Sequence, residues 1–310
     1  MQLHYQTPLF YAAALSAKLG KEVWFKMDCY QPTGSFKIRG VGKLCIEAVA
    51  KGSRQLVCAS GGNAGLATAY AGKQLGVTVT IIVPNTTKAL AIAKIEALGA
   101  TVKVFGSAWD ESNAFAKSWC HKEKATYIPP FDHPTIWEGN ATVMDECHEQ
   151  LDTPPNLVIT AVGGGGYFCG VVAGMERNGW KNTKIATAET IGAASLHDSI
   201  KAKKLITLEK ITTKATTLGA KTVAKRALED ALHHQVTPYL VSDEQALLAC
   251  QVFANDQSCM VELACGAALA AVYLDLAVIK EANSILVLVC GGGGMTYQEL
   301  SDSPLSSKTI

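Results

Sequence analysis

The chain has 310 residues, enough for about two domains at roughly 150 residues each. Its 28 Lys+Arg nearly cancel 27 Asp+Glu, which excludes a nucleic-acid protein working through a basic surface and an acidic disordered tail. Hydrophobic residues at 48% against 18% charged give a globular composition able to bury a large core.

The opening MQLHYQTPLF has no charged n-region and no apolar h-region, so no signal peptide is expected. Residues 55–60 read as a strand, 63–75 as a helix, and 77–83 as a strand. A helix follows over 88–98 with Ile92 and Ile95 on one face, stopped by Gly99 before a third strand at 101–105. This βαβαβ run implies parallel strands covered by helices on both faces. The pattern resumes with strand 157–162 and helix 167–177, then strand 184–189 and helix 193–203. Strands 236–241 and 285–290 follow, with helices 243–254 and 262–278. Continuous apolar runs mark strands buried on both faces. Gly40–Gly42 and the Pro-rich segment 129–134 act as boundary marks. They predict a large domain of 1–39 plus 135–310 and an inserted small domain of 40–134.

Ten cysteines are scattered without CxxC spacing, several within apolar runs. They read as small buried hydrophobes in a reducing compartment, without a disulfide framework or zinc finger. Residues 156–175 lack charge but are interrupted by four glycines, and 263–279 contains Asp275 and is shorter than the ~20 residues a span needs. A soluble cytoplasmic protein with no membrane or nucleic-acid partner is expected.

Four motifs carry chemistry. Gln31–Arg39 (QPTGSFKIR) places Lys37 near a helix opening around Ser35, between Phe36 and Ile38. Desolvation there lowers a lysine pKa and makes the amine a nucleophile for carbonyl carbon, although local physics alone favours a snorkelling surface lysine. Ser60-Gly61-Gly62-Asn63-Ala64-Gly65, between strand and helix, is either an anion site or a capped tight turn. Gly163-Gly164-Gly165-Gly166, again before a helix, favours phosphate binding because a structural turn rarely needs four glycines. It is neither GxGxxG nor GxxxxGK[ST], which weakens dinucleotide and nucleoside-triphosphate readings. Cys290-Gly291-Gly292-Gly293-Gly294 ends a strand, where α/β sheets bind ligands; Cys290 by itself reads as a core thiol. Glu189 ends a strand as either a metal ligand or an edge carboxylate. GxSxG and HExxH are absent.

Taken in order with Thr7-Pro8-Leu9, Pro130-Phe131-Asp132-His133-Pro134 and Lys221-Thr222-Val223-Ala224, these motifs resemble the fold-type II pyridoxal-phosphate (PLP) enzymes. They are most similar to the liver-type L-serine dehydratase / L-threonine deaminase family, over essentially the whole chain. The resemblance implies an α/β fold of two open, twisted, mostly parallel sheets flanked by helices. It implies that Lys37 holds PLP as a Schiff base and acts as general base on the substrate α-proton, with Phe36 packed on the ring. It gives the phosphate to Gly163, Gly164, Gly165 and Gly166, the ring hydroxyl to Asn63, and the pyridine nitrogen to Cys290. The substrate carboxylate falls to Ser60, Gly61, Asn63 and Ala64. A monovalent cation, potassium by expectation, maps to Glu189 and Ser195 with carbonyls of Gly163, Ala193, Leu218 and Ala220. Thr217 stands where some relatives carry alanine against the ring.

Two departures sharpen the expected chemistry. Gly61 lies where serine racemases of this fold carry a serine as second acid/base, so racemisation is expected to be poor. The Cys290 thiol is a weak partner for the pyridine nitrogen, which favours prompt β-elimination over transamination. The expected reaction converts L-serine to pyruvate and ammonia, and L-threonine to 2-oxobutanoate, in a homodimer. With only about 16 residues after the last glycine loop, no amino-acid-binding regulatory domain is expected. The alternatives are a PLP-dependent β-replacement enzyme, such as a cysteine synthase or threonine synthase, and a non-catalytic relative.

Overall fold

The computed structural model describes residues 1–234 and 236–301. In chain order the strands are β1 (Leu9–Tyr11), β2 (Glu22–Lys26), β3 (Gln55–Cys58), β4 (Thr78–Val83), β5 (Thr101–Val104), β6 (Thr126–Tyr127), β7 (Leu157–Ala161), β8 (Lys184–Thr190), β9 (Val236–Val241) and β10 (Ser284–Leu288). The helices are α1 (Ala13–Leu19), α2 (Lys37–Ala50), α3 (Asn63–Leu75), α4 (Ala89–Glu96), α5 (Trp109–Glu123), α6 (Pro134–Gln150), α7 (Gly166–Arg177), α8 (Ser195–Ala202), α9 (Lys225–His233), α10 (Asp243–Gln257), α11 (Leu263–Tyr273) and α12 (Tyr297–Ser301).

Six strands form one sheet in the order β1-β2-β10-β7-β8-β9, and four form a second in the order β5-β4-β3-β6. Every pairing is parallel except β1 with β2, at the edge of the larger sheet. The expected α/β architecture of two mostly parallel sheets is therefore observed. The central strands explain it: every residue of β7 (LVITA) is buried, and β3 and β10 follow with three and four buried residues after a half-buried first one. Such strands hold together only when helices cover both faces. The larger core gathers around β7, β8, β10 and the wholly apolar α11, and a second core joins β3 and β4 to α2 and α3.

Several boundaries differ from expectation for local reasons. The first helix after the QPTGS turn opens at Lys37 instead of Ser35, because Ser35 bridges to Gly291 and Phe36 donates to the Cys290 carbonyl. The helix expected over 193–203 begins at Ser195, where the Glu189 carboxylate receives the first free amides. The helix expected over 262–278 ends at Tyr273, since Asp275 takes a left-handed conformation at φ 48°. Gly40 and Gly42 both lie inside α2, whose Gly40 amide donates to Asn140 Oδ1 of α6.

Candidate active site

The turn before α2 is stitched to the end of β10. Phe36 N–H donates to Cys290 O, and Gly292 N–H to Gly34 O, each at 2.9 Å. This brings Lys37, first residue of α2, beside Cys290. Lys37 is half-buried, and its Nζ donates to Pro130 O at 2.6 Å. Burial lowers its pKa to about 8, opposed by the nearby Cys58, Cys290 and Glu262. Among the described residues no carboxylate binds the amine directly, so desolvation dominates.

Two residues further along α2, Arg39 is fully buried at the centre of an ionic network. Its Nε and Nη2 donate to Asp28 and its Nη1 and Nη2 to Glu146. Lys26 Nζ lies 2.6 Å from Glu146 Oε2, so two cations face two anions. Thr7 joins through its hydroxyl to Asp28, which explains its presence among the recognisable motifs. Burial alone would raise the Asp28 carboxyl, but the Arg39 guanidinium and the Tyr167 hydroxyl hold it below the usual range. That hydroxyl donates to Asp28 Oδ2 at 2.7 Å, and the Tyr167 ring stacks on Phe36 with centroids 3.9 Å apart. The network thus fixes Phe36, just before Lys37, and Arg39, two residues after it.

Gly163–Gly165 sit between β7 and α7 and Gly166 opens α7, with Gly165 at φ 88° in the left-handed region. A Cβ on Gly164 would overlap the Phe131 ring, whose own carbonyl receives the Trp137 indole N–H. Ala224 N–H closes the loop by donating to Gly164 O at 3.0 Å. The first amides of the twelve-residue α7 have no acceptor within the helix, the chemistry that suits an anion. The second loop, Ser60 to Asn63, opens α3; Gly62 N–H reaches Ser60 Oγ at 3.3 Å. Ala64 is buried within the first turn.

Sequence reasoning missed Glu262. It is buried at the N-cap of α11, accepting from Asn63 Nδ2 at 2.7 Å and Thr217 Oγ1 at 3.2 Å through Oε1. Burial raises its pKa, with Asn63 and Thr217 opposing. Among the described residues its Oε2 and the Asn63 Oδ1 have no hydrogen-bond partner. The available signal was a lone carboxylate directly ahead of the apolar run LACGAALAAVY. The Asp28–Arg39–Glu146–Lys26 network left no local signal.

The remaining expected residues form two groups. Val162 N–H donates to Ala188 O, so Gly163 follows β7 alongside Glu189 at the end of β8. Glu189 is buried, accepts from the amides of Leu196 and His197 at 2.9 and 2.6 Å, and is pushed by burial to about 8. Ser195 Oγ beside it is buried without a partner. The Leu218 backbone lies against Gly163, Ala220 N–H donates to Leu218 O at 2.8 Å, and Ala193 N–H donates to Thr190 O at 2.9 Å. Among the described residues no three His, Cys, Asp or Glu side chains come together as a metal cluster. Cys290 is buried, and a hydrogen bond with Cys265 followed by burial raises its pKa well above the ordinary thiol value, keeping it neutral.

These groups fit pyridoxal phosphate. A desolvated amine, a glycine cradle at a helix N-terminus and two unpartnered polar oxygens at Asn63 and Glu262 meet an aldehyde, a phosphate and a polar aromatic ring.

Residues 1–291 match the family model described as pyridoxal-phosphate dependent enzyme. The chain is 44% identical over 307 residues to the mouse L-serine dehydratase/L-threonine deaminase, covering 96% of this chain and 94% of the relative. It is likewise 44% identical over 307 residues to the rat serine dehydratase-like protein, over 96% and 93%. The structure of a fungal L-serine ammonia-lyase from Rhizomucor miehei superposes with a TM-score of 0.93 at 36% identity, covering 97% of this chain and 98% of that one. Tomato (Solanum lycopersicum) threonine deaminase isoform 2 gives 0.89 at 28%, over 97% and 82%. With the glycine cradle and the buried amine already in place, this similarity along nearly the whole length means that the chain belongs to the pyridoxal-phosphate dependent enzyme family.

Proposed function

We propose that the protein is a PLP-dependent L-serine/L-threonine ammonia-lyase. The observation that carries the reading is the 44% identity to the mouse L-serine dehydratase/L-threonine deaminase over 96% of this chain. The overall change turns L-serine into pyruvate and ammonia: water is lost across the α- and β-carbons and a second water releases the nitrogen.

Bound PLP supplies an electron sink for the carbanion at the substrate α-carbon. Lys37 would hold the cofactor through Nζ and would take the substrate α-proton on the same atom; its lowered pKa supports both roles. Gly163–Gly166 and the start of α7 bind the phosphate through backbone amides. Asn63, held by Glu262, would bond the ring hydroxyl, and Phe36, held by Tyr167, would pack on the ring. Ser60, Gly61, Asn63 and Ala64 receive the substrate carboxylate at the start of α3. Cys290, kept neutral, would be the partner of the pyridine nitrogen, a weak one that would not hold a proton there. Gly61 brings no second acid/base, which supports elimination over racemisation.

Potassium bound by Glu189, Ser195 and carbonyls of Gly163, Ala193, Leu218 and Ala220 would neutralise a buried carboxylate that otherwise has only amide partners. Glu189→Gln is expected to lose potassium activation, measured as turnover in potassium against a tetraalkylammonium salt. Residues 40–134 act as the small domain, a reading supported by the separate core that Val41, Leu44 and Cys45 share with β3 and β4. No helix among the described residues is long and apolar enough to cross a membrane; a cytoplasmic homodimer follows from the family resemblance and is tested by fractionation and sedimentation.

The deciding experiment supplies purified protein with PLP, potassium and L-serine or L-threonine. Steady release of pyruvate and 2-oxobutanoate is the expected result. Borohydride treatment of the holoenzyme is expected to leave a pyridoxyl group on the Lys37 peptide, and Lys37→Ala to lose both that adduct and turnover. Normal turnover by Lys37→Ala, or cysteine formation from added sulfide in place of pyruvate, would falsify the reading.

A further inference from the structure

Eight of the ten cysteines are buried; the exceptions, Cys29 and Cys259, are both half-buried and neighbour each other. Their Sγ atoms lie 3.9 Å apart although 230 positions separate them in sequence. Cys29 lies in the helical turn Asp28–Tyr30 after β2, its N–H bonded to Val289 O at 2.9 Å. Cys259 follows Ser258, which ends α10 in the left-handed conformation at φ 51°. A disulfide bond is about 2.05 Å long, so the two sulfurs need approach by only about 2 Å. Their environments are unequal. Hydrogen bonds from Cys29 and then the Tyr30 hydroxyl lower the Cys259 pKa to about 7 against the effect of burial. The same contact and burial raise that of Cys29. The asymmetry favours Cys259 as the attacking sulfur and Cys29 as the one that keeps its proton.

We propose that Cys29 and Cys259 form a redox modification site, converted to an intramolecular disulfide by a small disulfide such as oxidised glutathione. The Cys259 thiolate attacks one sulfur of the small disulfide, forming a mixed disulfide and expelling a thiolate. Cys29 sulfur then attacks Cys259 Sγ, the Cys29 proton passes to solvent or to the departing thiolate, and the second small thiol leaves. Two protein thiols are oxidised by two electrons, and one small disulfide is reduced to two thiols.

The bond pulls on the candidate active site. Glu262, three residues after Cys259, donates its N–H to Gly291 O and holds Asn63. Met260 O lies against Gly292, and Cys29 bonds the residue just before Cys290. Drawing the two sulfurs together displaces the loop on which Cys290 and Glu262 depend. The effect on turnover rests on the proposed ammonia-lyase activity; bond formation does not.

The test incubates holoenzyme with oxidised glutathione, alkylates remaining thiols under denaturing conditions, and maps peptides by mass while L-serine turnover is followed. A linked Cys29–Cys259 peptide is expected, with turnover falling at least about fivefold and returning with dithiothreitol. Cys29→Ser is expected to hold glutathione on Cys259 without a linked peptide, and Cys259→Ser to keep its turnover throughout. Absence of the linked peptide in the wild type overturns the proposal, and that measurement needs no variant to fold. So does a linked peptide with unchanged turnover, or equal loss in Cys259→Ser. Protein inactive before oxidation refutes the ammonia-lyase reading instead, while the linked peptide still decides the site.

Discussion

Lys37 donates to Pro130 O at 2.6 Å, and burial, outweighing the opposing Cys58, Cys290 and Glu262, brings its pKa to about 8. An ordinary lysine titrates near 10.4. Between these values the unfolded chain binds the extra proton, so stability rises with pH across that window and the contribution is absent well above it. Cofactor-free wild type is therefore expected to gain on Lys37→Met in urea midpoint from pH 8 to 10. Competitive acylation followed by peptide mapping should give Lys37 a midpoint about two pH units below the surface lysines; a midpoint among theirs would show that burial leaves it unperturbed. Gly61 makes a second case. A Cβ there would stand 2.5 Å from Thr87 Cγ2, so a serine cannot be added without moving Thr87. Gly61→Ser is expected to lose pyruvate release by about tenfold or more through misplacement of the substrate loop. The double variant with Thr87→Ala is expected to recover part of it and to form D-serine, detected by chiral chromatography. Unimpaired turnover in the single variant would remove the steric argument.

Helix α2 is tied to its surroundings by charge as well as by packing. Removing one member of a buried ion pair strands the others and costs about 3–5 kcal/mol. Arg39→Met leaves Asp28 without its guanidinium partner, so a loss of that size is expected in urea unfolding, together with weaker cofactor binding as Phe36 and Lys37 lose their fixed frame. The exposed Lys184–Glu281 pair is the control: Lys184→Ala is expected to cost under about 1 kcal/mol. This contrast also marks what the sequence reveals. β3, β7 and β10 are legible because strands covered on both faces become continuous apolar runs. α6 is not, because it packs against both α2 and α7 and buries Asn140 and Glu146 beside Ile136, Val143 and Met144, leaving no single apolar stripe. β1 and β6, three and two residues long, are too short to show a period. The glycine loops and Lys37 are legible because each motif is local. Glu262 meets Asn63 across 199 positions and Arg39 meets Glu146 across 107, so neither partnership leaves a mark in adjacent residues.

At the scale of the molecule, the cofactor-binding candidates come from both sheets. Asn63 follows β3 of the four-stranded sheet, Gly163–Gly166 follow β7 of the six-stranded one, and Lys37 opens the helix whose side chains enter the smaller core. Glu262, reached from α11, bonds Asn63 and so already joins the two. A ligand engaging all three elements binds only when both sheets are folded and correctly placed, so its binding energy counts toward the stability of the whole. At a hundredfold excess over the dissociation constant, linkage gives about 2.7 kcal/mol. PLP is therefore expected to raise Tm by several degrees and to merge any separate unfolding of the two sheets into one transition, followed by calorimetry with and without cofactor. Gly164→Ala, which forces a methyl group into the Phe131 ring, should shrink that shift while leaving the Lys37 amine in place. Lys37→Ala should shrink it by removing covalent attachment while leaving the cradle intact. If PLP raised Tm equally in all three proteins, binding would not depend on the elements that join the sheets, and the placement of the site between them would be wrong.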